Sequence, residues 1–255
     1  MTVDVPEGYD SAVRVPLLVV LAGFDTPGSE ELTYSGLGDL VEEAGVLVVA
    51  PDGALNGAGE HFWNATDACC AGPGSDVDDV AYLASLIEEI SAEWNVDPAR
   101  VFAFGHSNGG FMAYRLACDR ADLVAAVVSV AGATWSDETA CDPSQPVSVL
   151  QIHGTDDEVV RYVGGRFAAP YPGAAETVAM WAGYDRCTGG PAADSARLDI
   201  AEDVAGIDTS IARNEGCPMG IDVELWTIEG GPHVPDLQPE FPNTLWTWLA
   251  DHPRP

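Results

Sequence analysis

The amino-acid sequence predicts an α/β fold, a mainly parallel central sheet with helices on both faces, in one domain spanning residues 1–255. Three observations point there. Apolar strand-like runs alternate along the chain with segments of helical period, the order that a sheet wrapped by helices requires. Residues 46–50 are short and apolar throughout, as in a strand buried on both faces. The apolar run 101–104 leads through Gly105-His106-Ser107-Asn108-Gly109 straight into a helix-like segment at 111–118, a strand, tight turn and helix in immediate succession. With 255 residues, 47% of them hydrophobic, the chain can build one substantial core.

Taken in order, residues 11–23 read as an edge strand running into a central one, with Pro16 at the junction, where a missing N–H is tolerated. Residues 32–44 have helical period, with Leu37, Leu40 and Val41 on one face, and the strand at 46–50 follows. Residues 52–74 hold five glycines, an aromatic pair and the adjacent Cys69 and Cys70, a long loop of the kind that carries function. Ser75-x-x-Asp78 resembles a capping box, and Val80, Leu83, Ile87, Ile90 and Trp94 follow at helical spacing as core. Val96-Asp97-Pro98 reads as a turn back to the strand at 101–104. Residues 123–132 and 147–153 are further apolar strands, and the loop between them carries Trp135 and Cys141. Residues 173–184 read as a helix, 187–220 as a glycine-rich excursion with little periodicity, and 221–228 as a last alternating strand. A turn at 229–232 and a helix at 241–251, with Leu245, Trp246 and Leu249 on one face, close the chain. Neither an internal repeat nor a linker is visible, and no large lid is expected.

The formal charge of −31 comes from 41 acidic residues against ten basic ones, all arginine. Such a field repels nucleic acid and anionic membranes, and no apolar stretch approaches the roughly 18 residues that cross a bilayer. The acidity fits salt adaptation, in which molar salt stabilises the fold by screening self-repulsion, as well as it fits simple solubility. Cysteines at 69, 70, 118, 141, 187 and 217 form an even set without zinc-like pairs, which points to an oxidising, extracellular compartment. The polar, acidic start MTVDVPEGYD lacks a secretory pattern, so the expectation is that any signal has been removed or was never included and that Met1 is an added start. Cys187 with Cys217 would close a 30-residue excursion, and Cys118 with Cys141 would bracket one strand. That leaves Cys69 with Cys70, an adjacent pair whose bridge would strain the peptide, so a crossed arrangement stays open.

Small residues at 105 and 109 let the chain turn sharply enough to present the Ser107 hydroxyl, as a nucleophile elbow does. A serine is a weak nucleophile until a base takes its proton, and in this arrangement acid and histidine follow the serine in chain order. His61 precedes Ser107, His106 lies inside the turn, His153 comes before its best acid partner and His252 sits in the tail. His233, after the last strand, is the candidate base. Asp156 and Asp157, directly after the strand at 147–153, are the candidate acids, and composition does not choose between them. Oxyanion N–H donors are expected from Asn108, at the helix start, and from Phe24, in the loop after the first central strand. Trp63 and Trp135, from loops flanking the elbow, are candidate substrate-stacking residues. No metal or organic cofactor is needed, and Asp76, Asp78 and Asp79 read as a solvated helix start rather than a calcium site.

Phe104 to Met112, the stretch His153-Gly154-Thr155-x-Asp157 ending at Tyr162, and Ile228-Glu229-Gly230-Gly231-Pro232-His233 together resemble the polyhydroxybutyrate-depolymerase-like carbohydrate esterases. These are secreted α/β-hydrolases that include feruloyl and acetylxylan esterases. Pro51-Asp52-Gly53, Phe62-Trp63-Asn64 and the Cys69-Cys70 doublet extend the likeness from about Val15 to Pro253. The resemblance implies that Asp157 is the acid and that His106 shapes the pocket. It implies a serine esterase acting on polyester, feruloyl or acetyl-xylan esters as a monomer. Ala22 stands where the family usually has a histidine that supports the oxyanion loop; because the donors are backbone groups, activity is expected to survive. A peptidase of the same fold and a binding protein on a decayed scaffold are the rival readings.

Overall fold

Period-two alternation along the strands sorts apolar side chains onto two sheet faces. A computed structural model describes residues 2–71 and 75–254. In strand β2 (Val15–Leu21), Leu17, Val19 and Leu21 join one core while Leu18 and Val20 join the other. The remaining strands of the central sheet are β1 (Val3–Asp4), β3 (Leu47–Val49), β4 (Val96–His106), β5 (Ala126–Val130), β6 (Ser148–Gly154), β7 (Pro191–Leu198), β8 (Thr209–Asn214) and β9 (Val223–Ile228). Among the described residues they form one sheet in the order β1-β3-β2-β4-β5-β6-β9-β8-β7. Its centre, from β3 to β9, is parallel, and antiparallel strands flank it at both edges.

Helices α1 (Gly28–Ser35), α2 (Leu40–Ala44), α3 (Asp79–Glu93), α4 (Asn108–Asp119), α5 (Ala174–Tyr184) and α6 (Phe241–Ala250) cover the sheet. Apolar residues of α3, α4 and α5 share one core, including Leu83, Phe111 and Trp181, and those of α2 and α6 share the other, including Leu40, Phe241 and Leu245. Cross-strand register aligns Leu21 with Gly105, His106 with Val130 and Ile228 with Gly154, so the carboxyl ends of β2, β4, β6 and β9 emerge at one sheet edge. That edge is where an open α/β sheet places its ligands.

Several expectations are corrected. The single helix at 32–44 is two helices separated by a 3₁₀ turn, because Gly36 has φ 68° and its N–H closes α1 on the Leu32 carbonyl. Residues 96–98 begin β4 rather than forming a turn. The pairing steps from Val15↔Val96 to Leu17↔Val101, and the intervening residues absorb Pro98 outside the ladder. Ser75 does not cap α3; Asp78 does, accepting the Ala81 N–H at 3.0 Å, while the buried Asp79 accepts the Asn64 N–H at 2.6 Å. The excursion at 187–220 contains β7 and β8, which extend the sheet. Most of β7 is exposed, and an edge strand with little to bury has no apolar period to read.

Bridges join Cys69 to Cys70, Cys118 to Cys141 and Cys187 to Cys217, so no crossed arrangement occurs. Met1 and the last three residues of the loop at 52–74 lie outside the described residues.

Candidate active site

Between β4 and α4 the chain reverses at Ser107, whose φ of 51° and ψ of −118° are conformations a non-glycine residue avoids. The turn holds because its neighbours are small. A Cβ at Gly105 would collide with the Gly109 carbonyl, and one at Gly109 with the Leu21 carbonyl. The Ser107 N–H donates to the Val130 carbonyl at 2.8 Å, which fixes the elbow to the next strand.

The turn after β9 brings the His233 Nε2 to 3.0 Å from the Ser107 Oγ, and its Nδ1 to 2.8 Å from the Asp157 Oδ2. A carboxylate accepts only, so Nδ1 carries the ring proton and Nε2 presents a lone pair to the serine hydroxyl. Asp157 is buried, and its Oδ1 accepts the N–H groups of Val159 and Val160 at 2.8 and 2.9 Å. Burial alone would raise its pKa, but hydrogen bonds from His153 and His233 outweigh that and hold the carboxyl at about 2. The carboxylate is therefore charged wherever His233 would need it.

Behind Asp157 runs a buried chain of polar groups. Tyr114 donates to the Gln151 Oε1 at 2.7 Å, and the Gln151 amide nitrogen lies 2.9 Å from the Gly132 carbonyl and 3.0 Å from the His153 Nδ1. The His153 Nε2 in turn sits 2.7 Å from the Val160 carbonyl and 3.2 Å from the Asp157 Oδ2.

On the other side of Ser107, the N–H of Asn108 opens α4 and the N–H of Phe24 follows β2. Among the described residues neither has an acceptor, although the adjacent Gly23 and Asp25 N–H groups are bonded to Glu31 and to the His61 carbonyl. Free, fixed donors beside a serine are what a developing oxyanion requires. Next to Ser107 opens a cavity of about 350 Å³, walled by Phe24, Ala68, the Cys69–Cys70 pair, Val160, Phe167 and Ala168. Ser107 is the one hydroxyl-bearing side chain among its described lining residues.

The chain has recognisable relatives among known proteins. Residues 38–158 match the prolyl oligopeptidase family. Feruloyl esterase B of Piromyces equi is 30% identical over 241 residues, covering 91% of this chain and 42% of that protein. The putative esterase NocK of Nocardia uniformis subsp. tsuyamanensis is 31% identical over 235 residues, covering 86% of this chain and 65% of its own length. The solved acetyl xylan esterase from Aspergillus awamori superimposes with a TM-score of 0.67 at 16% identity, over 98% of this chain and 93% of that one. The fold is that of an α/β-hydrolase, and the chain is similar to feruloyl and acetylxylan esterases. It spans less than two thirds of the length of the first two relatives.

Within this α/β-hydrolase the structure places three predicted pocket residues elsewhere. Trp63 is fully buried. Its indole N–H needs an acceptor and finds the Ala22 carbonyl at 3.0 Å, its ring stacks near Tyr82, and its backbone is clasped by the Asn108 side chain at 2.7 and 3.1 Å. It braces the loop that carries Phe24 and does not face the cavity. Trp135 is also buried, with the Arg115 guanidinium 5.7 Å from its ring centre. His106 does not line the cavity either; its Nε2 lies 3.0 Å from the His233 carbonyl, under the base.

Sequence reasoning did not single out Glu31, Gln151, Tyr114 or the cavity wall at 159–168. His153 was considered only as a rival base. Its position four residues before Asp157, at the end of an apolar strand, was the available sign that it faces the acid. Asp222, Glu224 and His252 also cluster, but His252 bonds to Asp222 and to the Trp248 carbonyl, and Glu224 bonds to Arg213 and the Trp226 N–H.

Proposed function

We propose that the protein is a secreted serine esterase that cleaves carboxylic esters through an acyl-enzyme on Ser107. The observation that carries this is the relay Ser107–His233–Asp157, at 3.0 and 2.8 Å, opening onto an apolar cavity. His233 takes the hydroxyl proton as Ser107 Oγ attacks the ester carbonyl, and Asp157 stabilises the imidazolium that forms. The oxyanion is held by the Phe24 and Asn108 N–H groups. The imidazolium then protonates the departing alcohol, and a water molecule activated by the same ring releases the acid. Feruloyl and acetyl-xylan esters are the substrates suggested by the names of the relatives.

The cavity favours the first of these. It is large for an acetyl group, while an aromatic or hydroxyalkanoate acyl chain would bury its apolar wall. Secretion is supported by the three disulfides. The partial match to a peptidase family keeps peptide bonds as a second reading, since it spans Ser107 and Asp157. Initial rates on methyl ferulate, acetylated xylan, polyhydroxybutyrate and an aminoacyl-p-nitroanilide, measured side by side, test the assignment. Ester cleavage with the aromatic acyl group leading is expected; anilide cleavage exceeding ester cleavage would overturn it.

A further inference from the structure

Helix α1 carries two side chains, Glu31 and Tyr34, three residues apart on one face. They reach the two loops that flank Ser107. The Glu31 Oε2 accepts the Gly23 N–H at 3.4 Å, directly before the Phe24 donor, and lies 3.9 Å from the His106 Nδ1. The Tyr34 hydroxyl donates to the Pro235 carbonyl at 3.0 Å, two residues after His233, and its ring lies 5.4 Å from that of His106. His106 lies between the two. A carbonyl can only accept, so the His106 Nε2 donates to the His233 oxygen and its Nδ1 turns a lone pair toward Glu31.

Glu31 is an expensive residue to keep here. It is 2% exposed, and its Oε1 is buried with no hydrogen-bond partner. Burial raises its pKa to about 7 and lowers that of His106 to about 4. No arginine pairs with it among the described residues. A carboxyl that costs stability and meets the backbone of the oxyanion loop calls for a role in the site.

Resting on the esterase reading, we propose that Glu31 is a positioning residue of the oxyanion hole. Its carboxyl holds Gly23, and thereby the Phe24 N–H, in register with Ser107. It supplies from α1 the support that Ala22, without a polar side chain, does not give.

Two variants test this with p-nitrophenyl butyrate. Glu31→Met keeps the volume and removes the acceptor; Glu31→Gln keeps an acceptor without charge. Glu31→Met is expected to lower kcat by about 10- to 100-fold, with KM within about threefold and a thermal midpoint no lower than that of the parent. Glu31→Gln is expected to stay within about fivefold of the parent kcat. A Met variant with kcat within about twofold of the parent overturns the proposal, as does a fall in kcat matched by a fall in thermal midpoint, or an equal loss in both variants. If the parent protein shows no Ser107-dependent hydrolysis, the esterase reading falls, and this proposal with it.

Discussion

The Nε2 of His153 stands 3.2 Å from the Asp157 Oδ2, the same oxygen that accepts from His233. Two imidazoles thus share one buried carboxylate, one facing Ser107 and one facing the core. Because Tyr114 donates to the Gln151 oxygen, the Gln151 amide N–H groups point to Gly132 and to the His153 Nδ1. The His153 Nε2 proton is shared between the Val160 carbonyl and Asp157. His153 fixes the segment from Asp157 to Val160 against the core.

Replacing His153 by Phe leaves the Val160 carbonyl and one Gln151 N–H without partners, each a loss of about 1–3 kcal/mol. A fall of that size in unfolding free energy is expected, together with a kcat about tenfold lower as Asp157 loses a donor. Urea denaturation and initial rates on p-nitrophenyl butyrate measure both.

The pH dependence of stability follows from buried carboxyls. Asp185 is fully buried with one oxygen unpartnered, and burial raises its pKa to about 7 although the Val147 N–H, at 3.0 Å, opposes this. Glu31 is raised to about 7 as well. A carboxyl whose folded pKa is raised binds its proton more tightly folded than unfolded, so stability falls as pH rises from the unfolded value near 4 to about 7. The thermal midpoint is expected to be higher at pH 5 than at pH 7.5. Asp185→Asn, which keeps the acceptor for Val147, is expected to raise the midpoint at pH 7.5 and narrow the difference. Scanning calorimetry at the two pH values reads it.

Net charge predicts a salt response. Among the described residues Arg100, Arg115, Arg120 and Arg213 pair with carboxylates, against 41 acidic groups in the sequence. Most of the acidic surface therefore repels itself through solvent, and screening relieves that repulsion. The thermal midpoint is expected to rise between low-salt buffer and molar sodium chloride; an unchanged midpoint contradicts this.

What the sequence disclosed follows the physics of each element. Strands β2, β5 and β6 and the second half of β4 are buried on both faces, and burial writes itself as runs rich in Val, Leu and Phe. Gly105, Ser107 and Gly109 were legible because only small residues survive that turn. Trp63 and Trp135 misled, since an aromatic residue in a loop near a site looks the same whether it faces ligand or core; burial and the partner of the indole N–H decide. β7 was invisible because an exposed edge strand buries too little to need a pattern. Glu31 was hidden for another reason. Helix α1 lies far from the motif in sequence, and only the packing of α1 under the loop after β2 brings its carboxyl to Gly23.

The central claim is that Ser107 is the nucleophile, and the most direct measurement is turnover of p-nitrophenyl butyrate by Ser107→Ala against the parent protein. Removing the hydroxyl leaves only the oxyanion donors and binding, so a loss on the order of 10⁶-fold in kcat is predicted, with the thermal midpoint retained. A Ser107→Ala protein that keeps a tenth or more of the parent rate would contradict the account.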